Sequence, residues 1–144
     1  MNIISEEMRR FNYLVGEIDS LYHEAALKLG ISDSAFAVLY AVCNEGNCGI
    51  SDVCRLTGVS KQTVNSALRK LESDGVIILE ALDGKKKRIA LTAKGSRLMK
   101  KTAAKIVEAE NRVFGAWTEK ERSEYLRLTE RYLIDFRNEI DKLK

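Results

Sequence analysis

The feature that most constrains the fold is a helical repeat that ends at a glycine and leads directly into two short runs, an apolar one that begins with β-branched residues and a basic one that ends in Ile-Ala-Leu. One face of residues 60–75 carries apolar side chains at helical spacing, namely Val64, Ala67, Leu68 and Leu71. Gly75 suits the left-handed conformation in which many helices end. In residues 76–91 the pair Asp83-Gly84 separates the two runs, which is typical of a hairpin. The order predicts a helix that passes directly into a small β-hairpin.

Apolar repeats elsewhere predict further helices on both sides of this segment. These helices cover residues 6–29, 33–43, 52–57, 93–115 and 118–143. Gly30 ends the first of them, and Gly58 separates the short helix from the helix that begins at residue 61. The predicted N-caps are Ser32, Ser51, Ser60, Thr92 and Thr118, and Thr118 with Glu121 has the form of a capping box.

Three central helices followed by a hairpin are typical of a winged helix-turn-helix. We therefore predict a mainly α fold with a small β-hairpin wing. The helices at both ends are too long and too apolar to be solvent-exposed tails. A homodimer would bury their apolar stripes, because a two-fold partner presents the same stripe in return.

Charge is distributed unevenly along the 144 residues. Residues 50–100 contain 11 Lys or Arg against 5 Asp or Glu, a balance of +6, whereas the remainder contains 13 against 16, a balance of −3. A basic middle third is expected when one face meets a polyanion, although a solvated basic surface has the same composition. The start of the chain, MNIISEEMRR, does not resemble a signal peptide, and no apolar run is long enough to span a membrane. We therefore expect a cytoplasmic protein with no membrane partner.

The polar face of residues 60–73 has the composition that DNA recognition requires. It carries donors and short polar groups, with no acid before Glu72: Ser60, Lys61, Gln62, Thr63, Asn65, Ser66 and Arg69. In the major groove Gln62 and Asn65 can pair with adenine, and Arg69 can reach guanine or a phosphate. Residues at the helix N-terminus are expected to contact phosphates. The alternative is a solvent-exposed helix that lacks acids by chance.

The hairpin tip adds a basic cluster, formed by Lys85, Lys86, Lys87 and Arg88. Four adjacent positive charges repel each other in the free protein, and contacts with phosphates would offset this repulsion. Helix and hairpin together therefore predict binding to double-stranded DNA. A winged helix that binds protein is the alternative, and it would lack the steep salt dependence of phosphate binding.

These segments also resemble a known family. The run SDVCRLTGVSKQTVNSALRKLESDGVI followed by DGKKKRIALTAKG is similar to the MarR family of bacterial transcriptional regulators, and the resemblance extends over essentially the whole chain. Its most specific part is Leu91-Thr92-x-Lys94-Gly95 after the basic wing. The resemblance implies a homodimer with two recognition helices in successive major grooves and two wings in minor grooves. It also implies a repressor that acts on a pseudo-palindromic operator and is released by a small molecule or by oxidation.

The resemblance divides the chain into three parts of one integrated domain. Residues 1–30 are expected to form an N-terminal dimerisation helix, residues 31–92 the DNA-binding lobe, and residues 93–144 the C-terminal dimerisation helices.

The wing departs from the family in two ways. The family commonly has Asp-x-Arg there, whereas the matching residues are Asp83 and Lys85, and lysine lacks the planar fork of arginine. The segment between Gly75 and Asp83 is also shorter than is usual in the family. Both departures imply a weaker or differently placed contact with the minor groove.

A small organic effector would lie between the dimerisation helices and the DNA-binding lobe. The candidate lining residues are the aromatic side chains Phe11, Tyr22, Phe36 and Tyr40. Each lies on the apolar stripe of its helix, so plain core packing is the alternative for all four.

The three cysteines do not form the even set of a disulfide framework. Relatives that sense oxidants use a cysteine in the first helix, and this chain has none there. We expect Cys43 and Cys54 to be buried and Cys48 to be the exposed thiol. A regulatory disulfide between Cys43 and Cys48 is an open alternative. His23 is the only histidine, and the sequence contains no catalytic constellation or metal-ligand spacing, so we expect no enzyme activity, cofactor or metal.

Overall fold

The computed structural model describes residues 3–84 and 86–144. Its helices are α1 (Glu6–Leu29), α2 (Asp33–Asn44), α3 (Ile50–Thr57), α4 (Lys61–Ser73), α5 (Ala93–Lys101), α6 (Ala103–Ala116) and α7 (Glu119–Asp141). Strands β1 (Ile77–Ala81) and β2 (Lys87–Leu91) form an antiparallel hairpin between α4 and α5. The predicted fold class, mainly α with a hairpin wing, is confirmed.

Most helices begin at the N-cap that the sequence predicts. The backbone N–H three residues further on donates to the cap hydroxyl at 3.0–3.3 Å for Ser32, Ser60, Thr92 and Thr118. In the reciprocal contact of the capping box, the Thr118 N–H donates to the Glu121 carboxylate at 2.9 Å. The prediction for Ser51 is wrong, because α3 begins earlier, at Ile50. There the Asp52 carboxylate accepts the Gly49 N–H at 2.8 Å, so an acid of the first turn satisfies the helix N-terminus.

The single helix predicted over residues 93–115 is divided at Thr102 into α5 and α6. Thr102 has φ −125° and ψ −94°, outside the helical region. Its hydroxyl donates to the Leu98 carbonyl at 2.8 Å, and its N–H donates to the Met99 carbonyl at 3.2 Å. The side chain is buried, and a threonine that bonds back to the preceding turn competes with the regular helical pattern. The prediction of one continuous helix is therefore wrong.

The wing is joined to the beginning of α3 as well as to itself. Its two strands pair in antiparallel register that starts with Ile77 opposite Leu91. On the outer edge of β2, the Ile89 N–H donates to the Cys48 carbonyl at 2.8 Å. This backbone hydrogen bond joins the wing to the residues that precede α3.

The wing tip is centred where the sequence predicts it. Gly84 has φ +72°, a conformation that few other residues adopt, and the Leu82 N–H donates to the Lys86 carbonyl at 2.8 Å. Strand β2 begins later than predicted, at Lys87. Lys85, the first residue of the predicted strand, lies outside the described residues.

A hydrophobic core holds α4 against α2, α3 and the hairpin. Its largest fully buried side chains are Leu39, Leu68, Ile77, Val38, Val53, Val64 and Cys48. The apolar face predicted for the helix is buried throughout, at Val64, Ala67, Leu68 and Leu71. Each large aliphatic side chain contributes roughly 1.5–3 kcal/mol when fully buried, so packing alone fixes which face of α4 is turned outward.

The described residues form two compact units, one ending at Val107 and the other running from Glu108 to Lys144. The boundary falls inside the predicted C-terminal segment of residues 93–144. In the second unit three aromatic rings pack with centroids 5.2–5.9 Å apart, those of Phe114, Trp117 and Tyr125. None of the α7 residues, all of which the structure describes, is buried.

Within residues 3–84 and 86–144, no single helix is both long enough and apolar enough to cross a membrane. Helices α1 and α2 reach the required length and apolarity only when taken together, across a bend of 101°.

Candidate nucleic-acid interface

The polar face of α4 points into solvent. The side chains predicted to read DNA are exposed at Ser60, Lys61, Gln62, Thr63, Ser66 and Arg69, whereas Asn65 is half-buried. The Ser60 hydroxyl donates to Thr63 Oγ1 at 3.0 Å in addition to capping the helix. Arg69 Nη2 lies 3.4 Å from Ser66 Oγ, which aligns the guanidinium with the helix surface. The structure thus brings all seven predicted residues to one helix and its N-cap, and leaves six of them exposed.

A short turn sets the orientation of α4 relative to α3. Gly58 occupies the left-handed region at φ +72°, where a side chain would be strained. The Thr57 hydroxyl donates to the Val53 carbonyl at 2.6 Å and accepts the Val59 N–H at 3.3 Å. A turn that is closed by its own hydrogen bonds in this way forms a helix-turn-helix with a defined angle.

The wing carries fewer unpaired charges than the sequence implies. Lys86 and Lys87 are exposed, but Arg88 forms an ion pair with Glu80 directly opposite it on β1. Arg88 Nε also donates to Glu80 Oε2 at 3.1 Å, and the two side chains are 40% and 39% exposed. The structure therefore places Arg88 in a contact within the wing, a pairing that the sequence analysis missed. Lys85 lies outside the described residues.

A groove runs between the wing and the beginning of α3. Its volume is about 980 Å³, and its basic lining residues are Arg55, Lys61, Lys86, Lys87 and Arg88. Asp52 is the one carboxylate among the described residues that line the groove, and its Oδ2 accepts a hydrogen bond from the Gly49 N–H. The groove joins the N-terminus of α4 to the wing in one positive surface. Arg55 belongs to this surface although the sequence analysis gave it no role, because only the fold brings α3 beside the wing.

Two residues of the Leu91-Thr92-x-Lys94-Gly95 motif, Thr92 and Lys94, form a clamp behind the wing. The Thr92 hydroxyl donates to the Gly75 and Val76 carbonyls at 2.5 and 3.1 Å, and Lys94 Nζ donates to the Asp74 carbonyl at 2.7 Å. These bonds attach the start of α5 to the segment that links α4 to β1. The clamp therefore fixes the wing relative to α4.

Three of the four predicted effector residues come together. Tyr22, Phe36 and Tyr40 line a cavity of about 430 Å³ between α1, α2 and the α3–α4 turn. The Tyr40 ring stacks on Phe36 with centroids 5.7 Å apart and meets the edge of Tyr22 at 6.0 Å. Phe11 is not among the lining residues. It lies about 16 Å from Tyr22 along α1, from eleven residues at 1.5 Å each.

The same cavity has an acidic rim that the sequence analysis missed. Asp19, His23 and Asp33 also line it, and His23 Nδ1 lies 2.7 and 2.9 Å from the two oxygens of Asp33. This contact joins α1 to α2 across ten residues of sequence, so no local pattern indicates it. Among the described residues, no three His, Cys, Asp or Glu side chains are grouped so as to hold a metal ion.

The prediction that Cys48 is the exposed thiol is wrong. Cys48 is 2% exposed and belongs to the core, while Cys43 and Cys54 are half-buried. Burial, together with the nearby Asp52 and Glu45 carboxylates, raises the pKa of the Cys48 thiol to about 11. The glycines around it suggested an exposed loop, but the hydrogen bond from Ile89 to the Cys48 carbonyl draws this segment into the sheet. No disulfide joins any of the three cysteines, all of which the structure describes.

Comparison with known proteins agrees with this geometry. The sequence model of the MarR family matches residues 29–89, from the end of α1 into β2. The chain is 30% identical over 122 residues to the HTH-type transcriptional repressors Rv2887 of Mycobacterium tuberculosis and Mb2911 of Mycobacterium bovis. The match covers 83% of this chain and 88% of each relative.

Solved structures show the same fold at lower sequence identity. The MarR family regulator NMB1585 of Neisseria meningitidis superposes with a TM-score of 0.84 at 18% identity, covering 97% of this chain and 100% of that one. A MarR family regulator of Silicibacter pomeroyi gives 0.70 at 21% identity over 90% and 89% of the two chains. BpsR of Bordetella bronchiseptica, whose DNA binding is regulated by 6-hydroxynicotinic acid, gives 0.52 at 19% identity over 82% and 97%. With a winged helix-turn-helix and repressors as relatives, the chain belongs to the MarR family of transcriptional regulators.

Proposed function

We propose that the protein is a cytoplasmic repressor that binds a pseudo-palindromic operator in double-stranded DNA as a homodimer, and that a small organic effector releases it. The observation that carries the proposal is the outward face of α4, which presents donors and no acid before Glu72 and lies beside a basic groove. A phosphate backbone repels acids and attracts such a surface.

Sequence reading is assigned to α4. Gln62 and Asn65 pair with adenine edges in the major groove, and Arg69 contacts guanine or a nearby phosphate. Ser60, Lys61 and Thr63 hold phosphate at the helix N-terminus, where backbone N–H groups add to the attraction. Asn65 is half-buried and so has less rotamer freedom than its exposed neighbours, which favours a base contact of defined geometry.

Phosphate contacts are assigned to the wing. Lys86 and Lys87 are exposed and line the groove with Lys61. Lys85 belongs to the same proposal, as the residue between the Asp83-Gly84 tip and these two lysines. Arg88 contributes less than its charge implies, since Glu80 already pairs with it.

Dimerisation is assigned to the exposed apolar stripes of α1 and α7. Large apolar side chains remain between 40% and 61% exposed on α1 at Phe11, Leu14, Val15, Ile18 and Leu21. On α7 the corresponding values lie between 41% and 51% for Tyr125, Leu128, Tyr132, Phe136 and Ile140. Contiguous stripes of this kind mark interaction surfaces, and a two-fold related copy offers the same stripe in return.

The effector is assigned to the aromatic cavity lined by Tyr22, Phe36 and Tyr40. Its volume of about 430 Å³ lies in the range of small-molecule sites. Thr57 and Val59 of the α3–α4 turn also line it, so an occupant touches the residues that orient α4. Phe11 is left out of this assignment.

The decisive experiment is to retain genomic DNA fragments on the purified protein, sequence them, and measure the affinity for the enriched site by fluorescence anisotropy. We expect an inverted repeat and affinity at least about a thousandfold above that for a scrambled duplex at the same salt concentration. Sedimentation should report about twice the 16.2 kDa of one chain. Binding that is equal for both duplexes, or independent of salt, would contradict the proposal and favour a protein partner.

A further inference from the structure

The aromatic cavity between α1, α2 and the α3–α4 turn has a lining that selects by charge. We propose that it binds an organic cation with an aromatic or apolar body, rather than an organic acid. The inference rests on the proposed function, because it names the chemical class of the proposed effector.

The first observation is the sign of the charge around the cavity. Asp19 and Asp33 line it, and the described lining residues include no lysine or arginine. His23 is the one base among them, and its Nδ1 faces both oxygens of Asp33 at 2.7 and 2.9 Å. Because a carboxylate can only accept, Nδ1 carries the hydrogen of this contact. The lining of the cavity has a net charge of −2 when the imidazole is neutral and −1 when it is protonated. The lining therefore attracts a cation in either state.

The second observation is the aromatic wall. Tyr22, Phe36 and Tyr40 form a connected set, with ring centroids 5.7 and 6.0 Å apart. The faces of aromatic rings carry negative partial charge and attract cations, quaternary ammonium groups above all. Leu56 and Val59 add apolar surface for the body of the ligand. Aromatic rings flanked by carboxylates are thus suited to an amine or ammonium group on a small hydrophobic molecule.

A third observation shows that the positive charge of the same unit lies elsewhere. Arg55, Lys61, Lys86 and Lys87 line the groove beside the wing, where DNA is proposed to bind. The two cavities therefore have opposite charge. An anionic ligand would be attracted to the wing groove, whereas a cation would be repelled there and attracted to the aromatic cavity.

The test uses three probes of similar size on the purified full chain: benzyltrimethylammonium, benzyl alcohol and phenylacetate. Isothermal titration at constant ionic strength should give the cation an affinity about tenfold above those of the other two, since cation–π and carboxylate contacts add to the shared ring contact. Asp19→Asn should lower the affinity for the cation about three- to tenfold and leave that for benzyl alcohol unchanged. Tyr40→Leu should also lower the affinity for the cation. Glu108→Gln, which removes an exposed carboxylate from α6, is the matched control and should change nothing.

Several outcomes would overturn the inference. The first is phenylacetate binding that Tyr40→Leu abolishes, and that therefore occurs in the aromatic cavity, with an affinity above that of the cation. The second is binding of the cation that Asp19→Asn and Tyr40→Leu leave unchanged. The third is no binding of any probe to a protein whose circular dichroism is native. Operator affinity of the ligand-free protein separates this inference from the proposed function. A protein that binds its operator but not the cation refutes the inference alone, whereas a protein that binds no DNA refutes the proposed function.

Discussion

Gly95 lies so close to the carbonyl oxygen of Val76 that a Cβ on residue 95 would stand 1.9 Å from that oxygen. The same carbonyl accepts the N–H and the hydroxyl of Thr92, both at 3.1 Å. The first turn of α5 therefore rests directly on the backbone where β1 begins. The conformation of Gly95 is that of an ordinary helix, so the space, and not the backbone dihedral, requires glycine here.

Replacing Gly95 with Ala should lower the free energy of unfolding by about 1–3 kcal/mol, because backbone on both sides must move apart. Gly16→Ala is the matched control, since nothing lies within 4 Å of a Cβ there and alanine is the better helix former by up to about 1 kcal/mol. Thermal denaturation followed by circular dichroism measures both. An unchanged or higher melting temperature for Gly95→Ala would show that the backbone around residues 76 and 95 can move apart without loss of stability.

The fold was predictable from the sequence where local signals decide it. Hydroxyl N-caps act within three residues, and the caps at Ser32, Ser60, Thr92 and Thr118 are confirmed. The break at Thr102 was not predictable in this way, because apolar spacing continues through it and a threonine in a helix is ordinary. Its burial in the core, which depends on the other elements, decides the outcome.

The candidate site divides along the same line. The face of α4 follows from helical spacing alone, and every residue predicted for it lies on that helix or at its N-cap. The pairing of Arg88 with Glu80 depends on the strand register, and the burial of Cys48 depends on a bond from Ile89 far along the chain. Contacts of this kind leave no trace in local composition, so the sequence overstated the charge of the wing and the exposure of the thiol.

Asn65→Ala should weaken binding to the operator by about 1–3 kcal/mol for each half-site, because each half-site loses one bidentate contact with a base. Binding to random DNA should change little, so the preference for the operator falls. The measurement is anisotropy on the enriched site, on the site with the contacted base pair changed, and on a scrambled duplex. Equal losses on all three would mean that Asn65 holds the backbone and does not read a base.

Glu80→Gln should raise the affinity for DNA of any sequence about two- to fivefold, since it frees Arg88 and removes one negative charge from the wing. The slope of log K against log salt should steepen by up to about 0.9 for each arginine that gains a phosphate. Stability should fall by less than about 1 kcal/mol, because the pair is more than one-third exposed. Glu108→Gln serves as the control for the loss of a carboxylate. Weaker binding by Glu80→Gln would instead mean that Glu80 orients Arg88 toward DNA.

Cys48 should resist alkylation in the folded protein. Its raised pKa, about 11 against 9.0, keeps the thiol neutral at pH 8, and the thiolate is the reactive form. Iodoacetamide labelling followed by mass spectrometry should modify Cys48 at least about tenfold faster in urea than in buffer. Rapid labelling of the folded protein would show that the segment opens readily.

The same pKa shift predicts a loss of stability in alkali. The unfolded thiol loses its proton first, so the unfolded state binds fewer protons between pH 9 and 11, and unfolding becomes easier as pH rises through this range. The contribution is at most about 2–3 kcal/mol. Urea denaturation of wild type and Cys48→Ala across this range isolates it, because other titrating groups are common to both. Identical slopes against pH would contradict the assignment.

The wing lysines should control the salt dependence of binding. Lys86 and Lys87 are exposed, and if each contacts one phosphate in each protomer, a dimer makes four such contacts. Each phosphate contact contributes roughly 0.9 to the slope of log K against log salt, so changing both lysines to Ala should reduce the slope by about 3.6. When Lys85→Ala is added, the reduction should reach about five. Folding should be unaffected or slightly improved, since neighbouring positive charges are removed from solvent. Lys120→Ala with Lys144→Ala removes two positive charges from the second unit and should leave the line parallel to that of wild type. Parallel lines for the wing variant would mean that the lysines are solvated and do not neutralise phosphate.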